Sequence, residues 1–290
     1  MRLLEPKFKI IEQAPGYTGM LKQIEIAGRT CYKSEATGTD EGAYKFVKRM
    51  IDSGHMSVLE HGTVYLKMPI DNMWYTRFDV NPYSRVKIDH SDNTLCITTN
   101  FRVLVENQWD YLIEDYMTEP TDVHEERITV KFFTQIAISR EFNRHRVNSP
   151  SESSTRYCNF SKDKFGNEIA INKPAFITME GHRYLGFMDY IEKIQSGSDD
   201  MDAIDWWLFA NTACEAAYMK LTGFGWSAQQ ARTILPLDTN TELVHTAFVS
   251  DWERFIKQRA DGITGAPHID AYVLAAPLKE LFKSMNLISS

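Results

Sequence analysis

The chain has no cysteine pair in CxxC spacing: Cys31, Cys96, Cys158 and Cys214 stand alone. That scatter suits neither a zinc site nor a disulfide framework and fits a reducing compartment, so no metal is expected. A GxGxxG run and a GxxxxGK[ST] run are also missing, so neither a Rossmann nor a P-loop nucleotide site is expected. No apolar stretch is long enough to span a bilayer, and the opening MRLLEPKFKI lacks the apolar core of a signal peptide. A cytoplasmic protein with no membrane partner is the expectation. Positive charge is in deficit, with 32 Lys and Arg against 39 Asp and Glu for a net charge of −7. That balance disfavours a general nucleic-acid binder, which must neutralise many phosphates. Internal repeats and low-complexity tracts are absent too.

What is present is an ordinary globular composition, 43% hydrophobic and 24% charged over 290 residues. A chain of that length buries roughly three quarters of its surface on folding and needs no covalent staples. Apolar spacing predicts a helix over 41–53, stopped by Gly54, and strands over 64–68, 128–134 and 241–249. A further helix is expected over about 135–146, which would put Glu141, Arg144 and His145 on one face. Residues 183–195 and 205–221 read as helices separated by a polar break over 196–200. Ser227 is placed to cap a short helix, and Ser250 to Glu253 has the form of a capping box. The tail from Asp270 has a helical pattern interrupted by Pro277, and 69–92 reads as an irregular excursion. Strands and helices mix without regular βαβ alternation, so an α+β (mixed α/β) fold is expected, as one domain over 1–290.

The densest chemistry lies in Arg140 to Tyr157, REFNRHRVNSPSESSTRY. Arg140, Arg144, Arg146 and Arg156 surround His145, Glu141, Glu152 and the hydroxyls of Ser149, Ser151, Ser153, Ser154 and Thr155. Four guanidinium groups so close together in an acidic chain call for an anion. Guanidinium matches phosphate in bidentate geometry, while hydroxyls and carboxylates read sugar and base, so a nucleotide fits. Read alone, the Arg-His-Arg run would also suit an exposed helix end, where cations meet the dipole favourably. His55 with Glu60 and His61 hints at metal ligation but lacks HExxH spacing. Trp206 and Trp207 are expected in a core or subunit interface.

Arg144-His145-Arg146, seven residues and then Ser154 resembles the RHR-x7-S signature of the flavin-dependent thymidylate synthases, the ThyX family. Glu152 and Arg156-Tyr157 fall where that family has Glu and Arg-Tyr. Ala27-Gly28-Arg29-Thr30-Cys31-Tyr32 and Gly54-His55-Met56-Ser57-Val58-Leu59-Glu60-His61 resemble its two N-terminal motifs. Ala231-Arg232-Thr233-Ile234-Leu235-Pro236-Leu237, followed by Thr241-Glu242, resembles its C-terminal motif. The resemblance covers roughly residues 20–270, with the motifs in order. It implies a mixed sheet flanked by helices, assembled as a homotetramer with active sites between subunits. It implies FAD as cofactor, dUMP as substrate, methylenetetrahydrofolate as carbon donor and NADPH as reductant of the flavin.

By the same resemblance, Glu141, Arg144, Glu152, Ser153, Ser154, Thr155, Arg156, Arg232 and Arg259 would contact dUMP. Arg259 would be the catalytic group at the uracil. Ser57, Glu60, Arg144, His145, Arg146, Glu152 and Arg254 would face FAD, with His55 near the flavin ring where folate docks. The chain differs from compact members at Glu141, where they often have Gln, and at Phe248 and Arg254, where they often have Asn. The stretch over about 71–129 is longer and is expected to decorate the sheet and the site entrance. Gly262 to Gly265 reads as an inserted turn. Two other readings stand beside this one: a non-catalytic nucleotide- or RNA-binding protein using the arginine cluster, and a metal-dependent nucleotide hydrolase around His55 and His61.

Overall fold

A nine-residue strand buried almost throughout needs cover on both faces, and Asn240–Phe248 is such a strand. The computed structural model describes residues 1–197 and 200–289. In chain order the strands are Arg2–Leu4 (β1), Lys7–Ile11 (β2), Thr63–Pro69 (β3), Arg85–Asp89 (β4), Thr94–Asn100 (β5), Arg127–Gln135 (β6), Ser149–Glu152 (β7), Ala170–Asn172 (β8) and Asn240–Phe248 (β9). Helices up to the signature are Gly16–Thr30 (α1), Asp40–Asp52 (α2), Asn72–Asp79 (α3), Phe101–Asn107 (α4), Leu112–Tyr116 (α5) and Ile136–Phe142 (α6). After it come Phe187–Gln195 (α7), Ala203–Gly223 (α8), Ala228–Ala231 (α9), Val249–Arg259 (α10) and Ile269–Ser284 (α11). The fold is mixed α+β.

The main sheet has the order β2-β6-β9-β7, antiparallel throughout. Val130, Phe132, Leu243 and Ala247 point to the face covered by α6, α10 and α11, where Phe142, Trp252, Phe255 and Phe282 complete a core. Trp252 is buried but donates its indole N–H to the Ile128 carbonyl at 3.0 Å, so its one polar atom is satisfied. The opposite face meets α1 and a 3-10 turn over Met56–His61. Beyond that turn lies a second sheet, β3-β5-β4, packed with α1, α2 and α4 around Leu66, Ile97 and Leu104.

Buried Arg127 ties the two halves together. Its guanidinium donates to the Glu60 carbonyl at 3.0 Å, to Thr63 Oγ1 at 3.3 Å and to Ser149 Oγ at 3.3 Å. Phe248, one of the positions that departs from compact members, is buried under two guanidinium groups, Arg85 at 4.3 Å and Arg127 at 5.4 Å from its ring centre. Gly28 of the first N-terminal motif lets α1 approach α2. A Cβ there would sit 2.7 Å from the Phe46 ring.

Several local expectations change. The 69–92 excursion contains α3 and β4, because Asp71 caps α3 by accepting from the N–H groups of Met73 and Trp74. Together with α4, α5 and the central strand β5, the longer 71–129 stretch supplies much of the second sheet's core rather than its periphery. The helix expected over 135–146 stops at Phe142, and Arg144 and His145 follow in turns, so they do not share a helical face with Glu141. The helix expected from Arg183 starts at Phe187, because Asp189 accepts from the Gly186 N–H. Of the polar break, Ser198 and Asp199 lie outside the described residues.

Ser227 stands at the N-cap of α9, where Gln230 Oε1 accepts from its N–H and from its hydroxyl, each at 2.9 Å. Ser250 does not cap: α10 opens one residue earlier, and the Ser250 hydroxyl binds Glu125 instead. Pro277 does not interrupt α11, since it sits on the exposed side where the freed carbonyl can face water. Gly262 and Gly265, both at positive φ, form the expected turn. Trp206 is half exposed, whereas Trp207 is partly buried and donates to Asp238 at 2.7 Å.

Phe132 touches the rings of Phe142, Trp252 and Phe255, so it carries the helix-covered face. Phe132→Ala should destabilise the protein by about 3–5 kcal/mol in denaturant unfolding. A loss below about 1 kcal/mol would show that this core does not hold the sheet.

Candidate active site

Strand β7 lies at the sheet edge and ends at Glu152, a residue that lines a cleft of about 550 Å³. The opposite wall is built by Gly28, Cys31 and Tyr32 from the end of α1, and by His55, Ser57 and Val58 from the 3-10 turn and its entry. Ser154, Tyr157 and Arg102 also line it. The structure therefore brings the two N-terminal motifs and the centre of the signature to one concave site. That volume lies within the usual range for small-ligand pockets.

Glu152 is held by donors rather than by a cation. Its Oε1 accepts from Ser139 Oγ at 2.7 Å and Thr241 Oγ1 at 2.8 Å, and its Oε2 from Asn143 Nδ2 at 3.1 Å. Thr241 in turn accepts from Ser153 Oγ, which takes the Glu242 N–H. Ser153 is thus turned into the protein and positions Glu152 through Thr241. Ser154 stands on the cleft and accepts the Arg156 N–H at 3.2 Å. Thr155 accepts from exposed Arg232 at 3.4 Å, and exposed Arg156 donates to Gln229 at 3.0 Å. Glu60 accepts from Arg102 at 2.6 Å, which joins it to the cleft wall.

A second group of signature residues lies where α6 and α10 end. Arg259 Nη1 meets Glu141 Oε2 at 2.6 Å, and its Nη2 donates to the Glu141 carbonyl at 2.8 Å. Arg259 Nε approaches His145 Nε2 at 3.3 Å. The Glu141 carboxylate is therefore engaged with the arginine. Burial, then the charges of Arg259 and Arg254, push the His145 pKa down to about 4, so this imidazole is neutral and accepts. Arg144, Arg146 and Arg254 are exposed, and among the described residues none has a carboxylate partner. None of Arg144, His145, Arg146, Arg232, Arg254 and Arg259 lines the cleft of the same chain.

Sequence reading missed Ser139, Asn143 and His245, which hold or back Glu152 from other elements. No motif marks them. It also missed Arg102, whose only sequence signal is its i,i+4 pairing with Glu106. Burial raises the thiol pKa of Cys31, Cys158 and Cys214, which leaves none of them activated as a nucleophile. The His55, Glu60 and His61 trio does not form a metal-ligand cluster: buried His61 instead bonds Thr246 and Ser151, each at 2.8 Å. Among the described residues, the cluster that could hold an ion, His182 with Asp202 and Asp205, lies elsewhere and pairs internally and with Lys193.

A mixed α+β protein with a nucleotide-sized, arginine-flanked site is the class these features define. Residues 88–276 match the family described as "Thymidylate synthase complementing protein". The match spans well over half of the chain, which belongs to this family and is a methyltransferase of the thymidylate synthase type. No curated protein matches the chain. Among solved structures, the UMP/dUMP methylase PolB from Streptomyces cacaoi bound with 5-Br dUMP is 16% identical, with TM-score 0.41 and all of both chains covered. The same protein with 5-Br UMP is 13% identical at TM-score 0.40, covering 100% of this chain and 99% of that one. Among the described residues no helix is long and apolar enough to cross a membrane.

Four buried histidines, His61, His124, His145 and His245, set a pH dependence, each held below its ordinary value by burial. Burial pushes His61 and His245 down to about 3 and His145 to about 4, against 6.5 when unfolded. Between about pH 6.5 and 3 the unfolded chain therefore binds more protons, and stability falls as pH drops through that window. Above pH 6.5 the contribution is complete. The thermal midpoint should decline on acidification below 6.5, and His61→Gln should flatten the decline. A wild-type midpoint that rises below pH 6.5 would contradict the neutral burial.

Proposed function

We propose that the chain is a flavin-dependent thymidylate synthase that makes dTMP from dUMP. Methylenetetrahydrofolate is the carbon donor, and FAD reduced by NADPH is the hydride donor. The observation that carries this reading is the cleft uniting His55, Ser57, Glu152 and Ser154 in a chain of this family.

The residues fit a dinucleotide. Arg144, Arg146 and Arg254 offer exposed guanidinium groups suited to its phosphates, and neutral His145 stands among them. Ser57, Glu60 and Glu152 would complete that side, with His55 where the flavin ring and folate meet. When bound, reduced FAD would supply the hydride that arrives at the uracil ring. On the dUMP side Arg144, Thr155, Arg156 and Arg232 would bind the nucleotide, Ser154 and Glu152 would fix its sugar and base, and Ser153 supports Glu152 from behind. Glu141 aims Arg259, whose guanidinium stabilises negative charge growing on the pyrimidine N3 and O4.

The arginine groups lie outside the cleft of their own chain, which supports assembly as a homotetramer whose subunits complete one another's sites. Strongly exposed Phe224, at 83%, and half-exposed Trp206 and Trp226 offer apolar surface for such contacts. A cytoplasmic location agrees with the solitary cysteines.

The test is a visible absorption spectrum of the purified protein with FAD, followed by anaerobic NADPH and dUMP. A flavin spectrum bleached by NADPH is expected. Arg259→Ala should retain FAD while tritium release from labelled dUMP falls by roughly 10²–10³-fold. Protein that takes up no FAD would end this reading and favour the nucleotide- or RNA-binding alternative. Full tritium release by Arg259→Ala would remove the role given to Arg259.

A further inference from the structure

Glu152 is only as well aimed as the groups that hold it, and one of those groups can turn over. Asn143 carries an amide whose two ends differ in function: Nδ2 donates and Oδ1 accepts. A carboxylate only accepts, so Asn143 must present Nδ2 to Glu152 Oε2, 3.1 Å away. Its Oδ1 then faces His245 Nε2 at 3.1 Å, which must carry the proton. His245 Nδ1 is left with a lone pair, and Asn148 Nδ2 lies 3.4 Å from it as donor. One assignment of protons satisfies all three contacts.

We infer that His245 is a positioning residue for Glu152. Fixed as the Nε2–H tautomer, it prevents the Asn143 amide from flipping and so keeps the carboxylate aimed at the nucleotide. This rests on the function proposed above, and it concerns a residue that touches neither the cleft nor any charged partner. His245 is fully buried on β9 beside the rings of Phe132 and Trp252, at 6.4 and 6.3 Å. A hydrocarbon side chain would suit such surroundings, so the imidazole's use is its directed N–H. If the amide flipped, Asn143 Oδ1 would face the carboxylate, and Glu152 would have to turn away from that repulsion. Burial also keeps the ring neutral at working pH, with its pKa near 3, so the arrangement does not switch off on mild acidification.

The test uses full-length wild type, His245→Phe and His245→Gln. Phe fits the aromatic pocket without a donor, whereas Gln can return an N–H toward Asn143. Crystal structures without nucleotide should show the Glu152 carboxylate turned in His245→Phe and restored in His245→Gln. The KM for dUMP should rise about tenfold in His245→Phe and recover in His245→Gln. ¹⁵N-histidine NMR of the wild type should report an Nε2–H tautomer. An Nδ1–H tautomer overturns the inference, as does a His245→Phe structure with Glu152 unmoved. Wild-type protein that turns over no dUMP would sink the proposed function instead, leaving the two structures to decide the positioning role. If His245→Phe does not fold, the tautomer and the His245→Gln structure decide it.

Discussion

The antiparallel pairing of β6 with β9 is the constraint on which the rest depends. The two strands run in register from Arg127 opposite Phe248 to Gln135 opposite Asn240. At one end β6 passes directly into α6. At the other, β9 passes into α10, which packs back over the same sheet face. The helix thus returns toward the end where α6 begins, and Arg259 at its last residue meets Glu141 near the end of α6. Shifting the register by one residue would turn Leu243 and Ala247 out of the core and His61's partner Thr246 into it. The ion pair and the core are therefore set by the same ladder.

Strand β7 extends that logic to the cleft. It joins β9 over only four residues, and its side chains alternate between two tasks. Ser149 and Ser151 face inward to Arg127 and His61, locking the 3-10 turn that carries Ser57 and Glu60 against the sheet. Glu152 faces the other way, where α6 and β9 supply its donors. Polar groups so deeply placed are costly unless paired, and apart from Arg127 Nε these are paired along connected chains. The site is consequently rigid on the Glu152 side and exposed on the arginine side.

Charge follows the same division. Among the described residues, the carboxylates of the site each have a partner within the chain, whereas Arg144, Arg146 and Arg254 have none. In a protein of net charge −7, exposed guanidinium groups of this kind are a local positive feature. The buried imidazoles add no positive charge near neutral pH.

The amino-acid sequence by itself determined the residue types and their local periods. Apolar alternation located β3, β6 and β9 to within a residue or two, helical spacing located α2 and α8, and the ordered motifs marked Glu152, Ser154 and Arg259. Those signals are local, because periodicity and capping depend on neighbours a few positions apart. Only the tertiary structure decided what each side chain faces. Glu152 takes donors from 9, 13 and 89 residues away, and Arg259 finds Glu141 across 118. No local pattern encodes pairings at such separations; strand register and helix packing create them. For the same reason Asn143 and His245 went unmarked, and the α6 helix was expected to continue to Arg146, where tertiary hydrogen bonds to its last turn stop it at Phe142.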